Sequence, residues 1–211
     1  MLAQQVLNGV MIGLPLMLTL GPVSILLINQ GMHSGSRSGL PAAVGVATAD
    51  LTFSTIAAVA GSALVAGLAP VSGALRVIGA GVIIGLAVKI GLSARAQITA
   101  IKSGDASVDV FKPRRSFGDL TGARLAGTFY GVTIINPVSI ILLSAVVVAG
   151  GKGMATPGWV LGMTLASLIA HSGYVLFGSF LRRAFNPAGL ARFGMVSAVL
   201  MVATAAHLVV G

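Results

Sequence analysis

One carboxylate stands where a carboxylate is costly. Asp50, in PAAVGVATADLTFSTIAAVAG, is the only acid outside a polar segment that holds the other three, Asp105, Asp109 and Asp119. It lies about ten residues into a long apolar run, near mid-depth at 1.5 Å per residue if that run crosses a bilayer. There an ionised carboxylate costs on the order of 3 kcal/mol, so packing alone does not account for it. No Lys or Arg lies deep enough in another apolar run to neutralise it, since Arg76 and Lys89 sit near the ends of theirs. His171, in LIAHSGYVLFG, is the remaining partner. An acid and a histidine paired at that depth could hold a cation or relay a proton, whereas a histidine alone there is a hydrogen-bonded packing residue. His33 and His207 read as loop and interface residues without a role.

A second signal is the tetrapeptide PVSI, which occurs at Pro22–Ile25 and again at Pro137–Ile140. Both copies lie inside apolar runs, TLGPVSILLI and IINPVSIILL. Proline lacks the N–H and clashes with the carbonyl four residues back. The freed backbone groups need a neighbour, water or ligand in hydrocarbon. Each break carries polar side chains: Ser24 beside Pro22, and Asn136 and Ser139 around Pro137. A single such proline is a packing kink capped by serine. A matched pair is the pattern of a binding site.

The elements that must position these groups follow from composition. Of 211 residues 56% are hydrophobic and 8% charged, against about 25% charged in a soluble domain, and the mean hydropathy is +1.01. Too little polar material exists to cover a water-facing surface. A bilayer span takes roughly 20 apolar residues, and six apolar stretches can be read: 4–29, 39–67, 70–94, 122–149, 156–181 and 189–210. The expected fold is an all-α integral membrane protein of six transmembrane helices. Residues 1–96 form a first three-helix unit, 97–121 a mobile basic loop or surface helix, and 122–211 a second three-helix unit.

Eleven basic residues fall on the side that receives the loops after the first, third and fifth spans, and two, Arg76 and Lys152, on the other. Basic loops stay cytoplasmic, so the 97–121 loop is expected inside and both termini outside. The pI near 11.5 is explained by these loops, and no nucleic-acid partner is expected. Nothing basic precedes Arg37, so the first span does not read as a cleaved signal peptide.

The two units align beyond PVSI. An offset of 117 sets Gly45 on Gly162, Gly61-Ser62-Ala63-Leu64 on Gly178-Ser179-Phe180-Leu181, and Asp50 on Ser167, one turn before His171. The change from 115 to 117 falls in the loop after the first helix of each unit. Three helices per unit make the second enter from the opposite side, an inverted repeat. In secondary transporters with such repeats, paired Gly/Pro interruptions point to the binding site.

Other chemistry is poorly served. There are no cysteines, one carboxylate within the apolar runs and scattered histidines, which build no metal cage. His171-Ser172 are neighbours in sequence but do not make a protease dyad. Gly79, Gly81, Gly85 and Gly91 follow no strand and read as helix-packing glycines rather than a phosphate loop. No catalytic residue and no cofactor is expected.

The chain resembles the LysE-type exporters, the lysine/arginine and homoserine/threonine efflux proteins of bacteria, over nearly its whole length. Their Gly-Pro-Gly in the first span corresponds to Gly21-Pro22-Val23, their Gly-Asp in the second to Ala49-Asp50 after Gly45, and their Asn-Pro-Lys to Asn136-Pro137-Val138. The second Gly and the Lys are replaced here. The resemblance implies a secondary active exporter of basic or small neutral amino acids in the inner membrane, and places its critical acid and prolines at Asp50, Pro22 and Pro137. Absence of an ATP-binding motif makes the proton gradient or membrane potential the expected drive. Partners are then an amino-acid substrate, protons or another ion, and lipid, and the sequence is compatible with a homo-oligomer. The rivals are an exporter of metal cations and a non-transporting scaffold.

Overall fold

The computed structural model describes residues 1–18, 21–68, 72–103, 120–135 and 156–210. These form six helices and no strand: α1 (Leu2–Met17), α2 (Pro22–Leu68), α3 (Ser72–Ser103), α4 (Gly122–Ile134), α5 (Pro157–Ala184) and α6 (Pro187–Val210). Among the described residues three segments are long and apolar enough to cross a membrane, Pro22–Val59, Ile83–Ser103 and Pro157–Ala184.

Helix α5 shows why this sequence suits lipid. Its inward face carries small and polar side chains, among them Gly162, Ala166, Ser167, Ala170, His171, Gly178 and Ser179. Leu161, Leu165, Ile169, Leu176, Phe177 and Phe180 point outward and are exposed. A water-soluble helix has the opposite arrangement. Thr156 caps the start, its Oγ1 accepting from Trp159 N–H at 3.3 Å, with Pro157 in the first turn. Arg182 and Arg183 in the last turn favour the carbonyl end of the helix. Asn186 Oδ1 then accepts from Gly189 N–H at 2.8 Å, which starts α6 after a two-residue corner.

Helix α2 has 47 residues, about 70 Å if straight and more than twice the hydrocarbon thickness. It is not straight. Gly35 has φ +75°, a left-handed conformation that side chains rarely adopt. A Cβ added to Gly39 would lie 3.7 Å from Gly31 Cα, although eight residues of straight helix span about 12 Å. The chain folds back at Gly35 into two arms, 22–34 and 36–68. GMHSGSRSG, read from sequence as a loop between spans, is thus helical on both sides of one pivot residue.

Other boundaries also differ from expectation. The first apolar stretch, 4–29, is two helices, because α1 ends at Met17 and α2 begins at Pro22. Helix α3 runs on to Ser103 rather than ending near 94, with Thr99 and Ser103 hydroxyls bonded back to Arg95 and Ala100 carbonyls. Helix α4 stops at Ile134, and 136–149 of that expected span lies outside the described residues, as does 104–119 of the expected loop.

Helix α5 is the hub, packed against α1 and both arms of α2, while α4 lies against α2 and α3 against α6. Backbones meet where glycines permit it. A Cβ on Gly9 of α1 would meet Gly162 Cα of α5 at 2.9 Å, and one on Gly45 of α2 would meet Ala126 Cα of α4 at 2.9 Å. Close helix approach through small residues is the usual adhesive of membrane bundles. Among the glycines of α3, Gly91 packs against Ala198 at 3.4 Å, Gly81 and Gly85 have nothing within 4 Å among the described residues, and the surroundings of Gly79 lie outside the described set.

Candidate binding site

Helices α2 and α5 bring Asp50 and His171 together through a residue between them. Ser167, His171 and Tyr174 are spaced i, i+4 and i+7, which puts them on one face of α5, and Asp50 faces them from the second arm of α2. Ser167 Oγ donates to Asp50 Oδ2 at 2.6 Å and lies 2.9 Å from His171 Nδ1. The direct His171 Nδ1 to Asp50 Oδ2 distance is 3.8 Å. Asp50, Ser167 and His171 are 3%, 0% and 5% exposed. With the serine proton on the Asp50 side, its oxygen is left to accept from His171 in the tautomer that carries the proton on Nδ1. In that tautomer the three form a chain, Nδ1–H to Oγ–H to Oδ2, along which a proton can pass to Asp50 as the ring takes up another at Nε2. Ser54 closes the Asp50 side, its hydroxyl donating to the Asp50 backbone carbonyl at 2.7 Å.

The serine is the member that sequence reasoning left without a role. It was aligned with Asp50 by the 117-residue offset, and the two touch. Ser167→Ala removes the hydroxyl from between two buried polar groups, so the variant should lose about 1–3 kcal/mol of stability. Thermal unfolding in detergent reads this loss, and an unchanged midpoint would show that the serine is not holding the pair.

The Pro22 break lies on the same face of α5. Gly21 C=O accepts from Ile25 N–H at 3.1 Å, so Gly21 is the cap and Pro22 the first helical residue. There the missing N–H costs nothing. Ser24, buried, has its Oγ 3.5 Å from Gly21 N–H, a reach back to the cap. Pro22 therefore starts a helix rather than kinking one, which corrects the expectation that its own turn frees carbonyls. The freed carbonyls belong to the end of α1. One of them, Met17 O, accepts from Tyr174 Oη at 3.2 Å, and the Ser24 side chain also hydrogen-bonds Tyr174. The Tyr174 ring stands 6.2 Å from that of His171, tilted by 50°. Tyrosine thus joins the helix break to the acid–serine–histidine chain.

The end of α4 reaches the same neighbourhood. Trp159, Phe53, Ala57 and Met163 form a cluster with Leu16 and Met17 from the end of α1 and Ile134 from the end of α4. The Trp159 indole N–H is the one buried side-chain polar atom without a hydrogen-bond partner among the described residues. Asn136, Pro137 and Ser139 lie outside the described residues. Asn29 and Gln30, which sequence reasoning passed over, are buried on the first arm of α2, bonded to Ile25 O and Ser34 Oγ, each at 2.9 Å. Their only signal was two adjacent amides inside an apolar run. His33 offers its carbonyl to Arg182 at 3.2 Å, and the His207 side chain lies outside the described set.

The described residues are all helical, with three helices long and apolar enough to cross a membrane, two of which carry the buried polar chain. No known family, curated protein or solved structure matches the chain.

Proposed function

We propose that this is a secondary active amino-acid exporter of the LysE type. It crosses the bacterial inner membrane six times as two inverted three-helix units and works by alternating access. The observation that carries the proposal is the buried chain of Asp50, Ser167 and His171, joined through Tyr174 to a helix interruption. Helix interruptions expose backbone dipoles of both signs without side-chain charge. The start of α2 at Gly21-Pro22 offers its positive end to a substrate carboxylate. The freed carbonyls of α1 and the Asp50 carboxylate suit the α-amino group. Asp50 then either holds that cation or takes a proton through Ser167 and His171. Coupling to the proton gradient follows from the second alternative.

The repeat is supported by three contacts. Asp50 touches Ser167, 117 residues on. Gly9 packs on Gly162, while Ala126 and Gly45, the residues 117 away from each, pack on one another. A two-fold relation between the units produces both: exchanged partners off the axis, and self-paired positions on it. Helices α1 and α4 also end 117 apart, at Met17 and Ile134, so the 115-residue spacing of PVSI is local to that tetrapeptide rather than holding through the first helix of each unit, as the sequence alignment had it.

Among the described residues no three His, Cys, Asp or Glu side chains gather, which favours an organic cation over a metal ion. A scaffold has no use for a buried carboxylate that can exchange a proton. Proteoliposomes loaded with a panel of labelled amino acids should export at least one of them faster under an imposed pH gradient. Absence of export for the whole panel, with correctly inserted protein, would sink the reading. Orientation has its own test. A reporter active only outside the membrane should work after Gly211 and fail at Gly104. Activity at Gly104 would overturn the inverted arrangement.

A further inference from the structure

A basic pocket lies at the fold-back of α2, beside the last turns of α5 and C-terminal to Tyr174 on that helix, and its lining includes none of the residues assigned to transport. Gly35, Ser36, Ser179, Arg182 and Arg183 line an open cavity of about 340 Å³. Arg182 holds the pivot: its Nη1 donates to His33 O and would lie 3.7 Å from a Cβ on Gly35. Arg183 is exposed and has no carboxylate neighbour among the described residues. A helical residue followed by a left-handed one turns successive backbone N–H groups to one side, a concavity that favours anions. Cations, hydroxyls and such a backbone turn together match the oxygens of a phosphate.

The surroundings select the source of that phosphate. Leu176, Phe180 and Arg183 are spaced i, i+4 and i+7, so one exposed face of α5 runs from two large apolar side chains to a guanidinium. Phe180 is 62% exposed and Leu176 51%. Helix α5 is of membrane-spanning length and apolar character, and Arg182 and Arg183 occupy its last turn. That places the pocket at headgroup level and the apolar face along an acyl chain. Basic pockets between spans at that level hold anionic headgroups.

We infer that the pocket of Arg182, Arg183, Ser36 and the Gly35 turn binds the phosphate of an anionic phospholipid whose acyl chain lies over Phe180 and Leu176. The bound lipid would tie the fold-back of α2 to the end of α5, at a point where the two arms must stay together.

The test uses the full chain purified in an uncharged detergent. Phosphatidylglycerol, phosphatidylcholine of matched chains and inorganic phosphate are titrated separately, and bound lipid is counted by native mass spectrometry. Phosphatidylglycerol should be retained about tenfold more tightly than phosphatidylcholine. Arg183→Gln should remove most of that preference and Ser36→Ala part of it. Arg95→Gln, an exposed change elsewhere in the chain, should leave it intact. Circular dichroism of each variant confirms that the helices persist. Equal retention of the two lipids, or a preference that survives Arg183→Gln, overturns the inference. Binding of inorganic phosphate in an Arg183-dependent way without lipid retention also overturns it, since the source is then a soluble anion. None of these readouts depends on transport, so the result stands apart from the exporter reading.

Discussion

Asp50→Asn is expected to reduce amino-acid export by about 100-fold or more, in the range typical of losing a positioned proton carrier, while the protein still inserts and folds. Asparagine keeps the volume and leaves an Oδ1 to accept the Ser167 proton, so the 2.6 Å contact has a substitute. What it removes is the titratable charge. Stability should hold or rise, because a charge costing on the order of 3 kcal/mol at mid-membrane is gone. The wild-type rate should vary with pH as the chain loads and unloads its proton, and the variant's residual rate should be flat. Asp50→Glu should retain part of the activity with a moved pH optimum, since a longer carboxylate still reaches Ser167. Efflux normalised to inserted protein, at several pH values, measures all of this. Near-normal efflux from Asp50→Asn would leave the transport mechanism without its central group.

The largest structural effect is expected at Gly178. A Cβ there would overlap the Ile28 carbonyl oxygen and sit 2.9 Å from Ile28 C and 3.0 Å from Met32 N. All three are backbone, so no side chain can swing aside. Gly178→Val must push α5 away from the first arm of α2 and open the core around Ile28, Met32 and Val175. Overpacking of this kind costs about 1–3 kcal/mol and sometimes more, against a typical total of about 5–15 kcal/mol. The variant should lose most of its monodisperse yield, and Gly178→Ala should lie between it and the wild type. Gly173, on the same helix, has nothing within 4 Å. Gly173→Ala should be neutral or gain up to about 1 kcal/mol from helix propensity. Unfolding midpoints of the three variants give the comparison. If Gly178→Val were as stable as Gly173→Ala, the tight α2–α5 packing would be wrong.

Much of this was legible in the residues, for reasons that differ. Hydropathy alone marks the helical class, because 8% charge cannot clothe a soluble domain. Asp50 stood out by scarcity, and His171 by depth. The alignment placed Ser167 opposite Asp50 but could not show contact, since a match of positions says nothing of distance. Pro22 was misjudged because an apolar run of 26 residues reads as one span. Only the cap geometry at Gly21 shows two helices meeting. The pivot at Gly35 was hidden among small polar residues that look like any loop. Tyr174 and Trp159 carried no signal, because amphipathic aromatics are ordinary in apolar helices. What makes them notable is a bonded carbonyl in one case and, in the other, an N–H without a partner among the described residues.

The contact between Asp50 and Ser167 bears on how such a chain could have arisen. On the repeat reading these are one ancestral position, inherited twice and left facing itself. While the halves were identical, an aspartate there would have set two carboxylates in hydrogen-bonding contact, and only one could stay ionised. A serine on both sides would have carried no charge. On the same reading, fusion of the halves into one chain would have let the copies drift apart, so that a single acid could be kept against a neutral hydroxyl. An assembly of two separate identical half-chains cannot reach that arrangement by any point mutation, because every change is made on both sides at once.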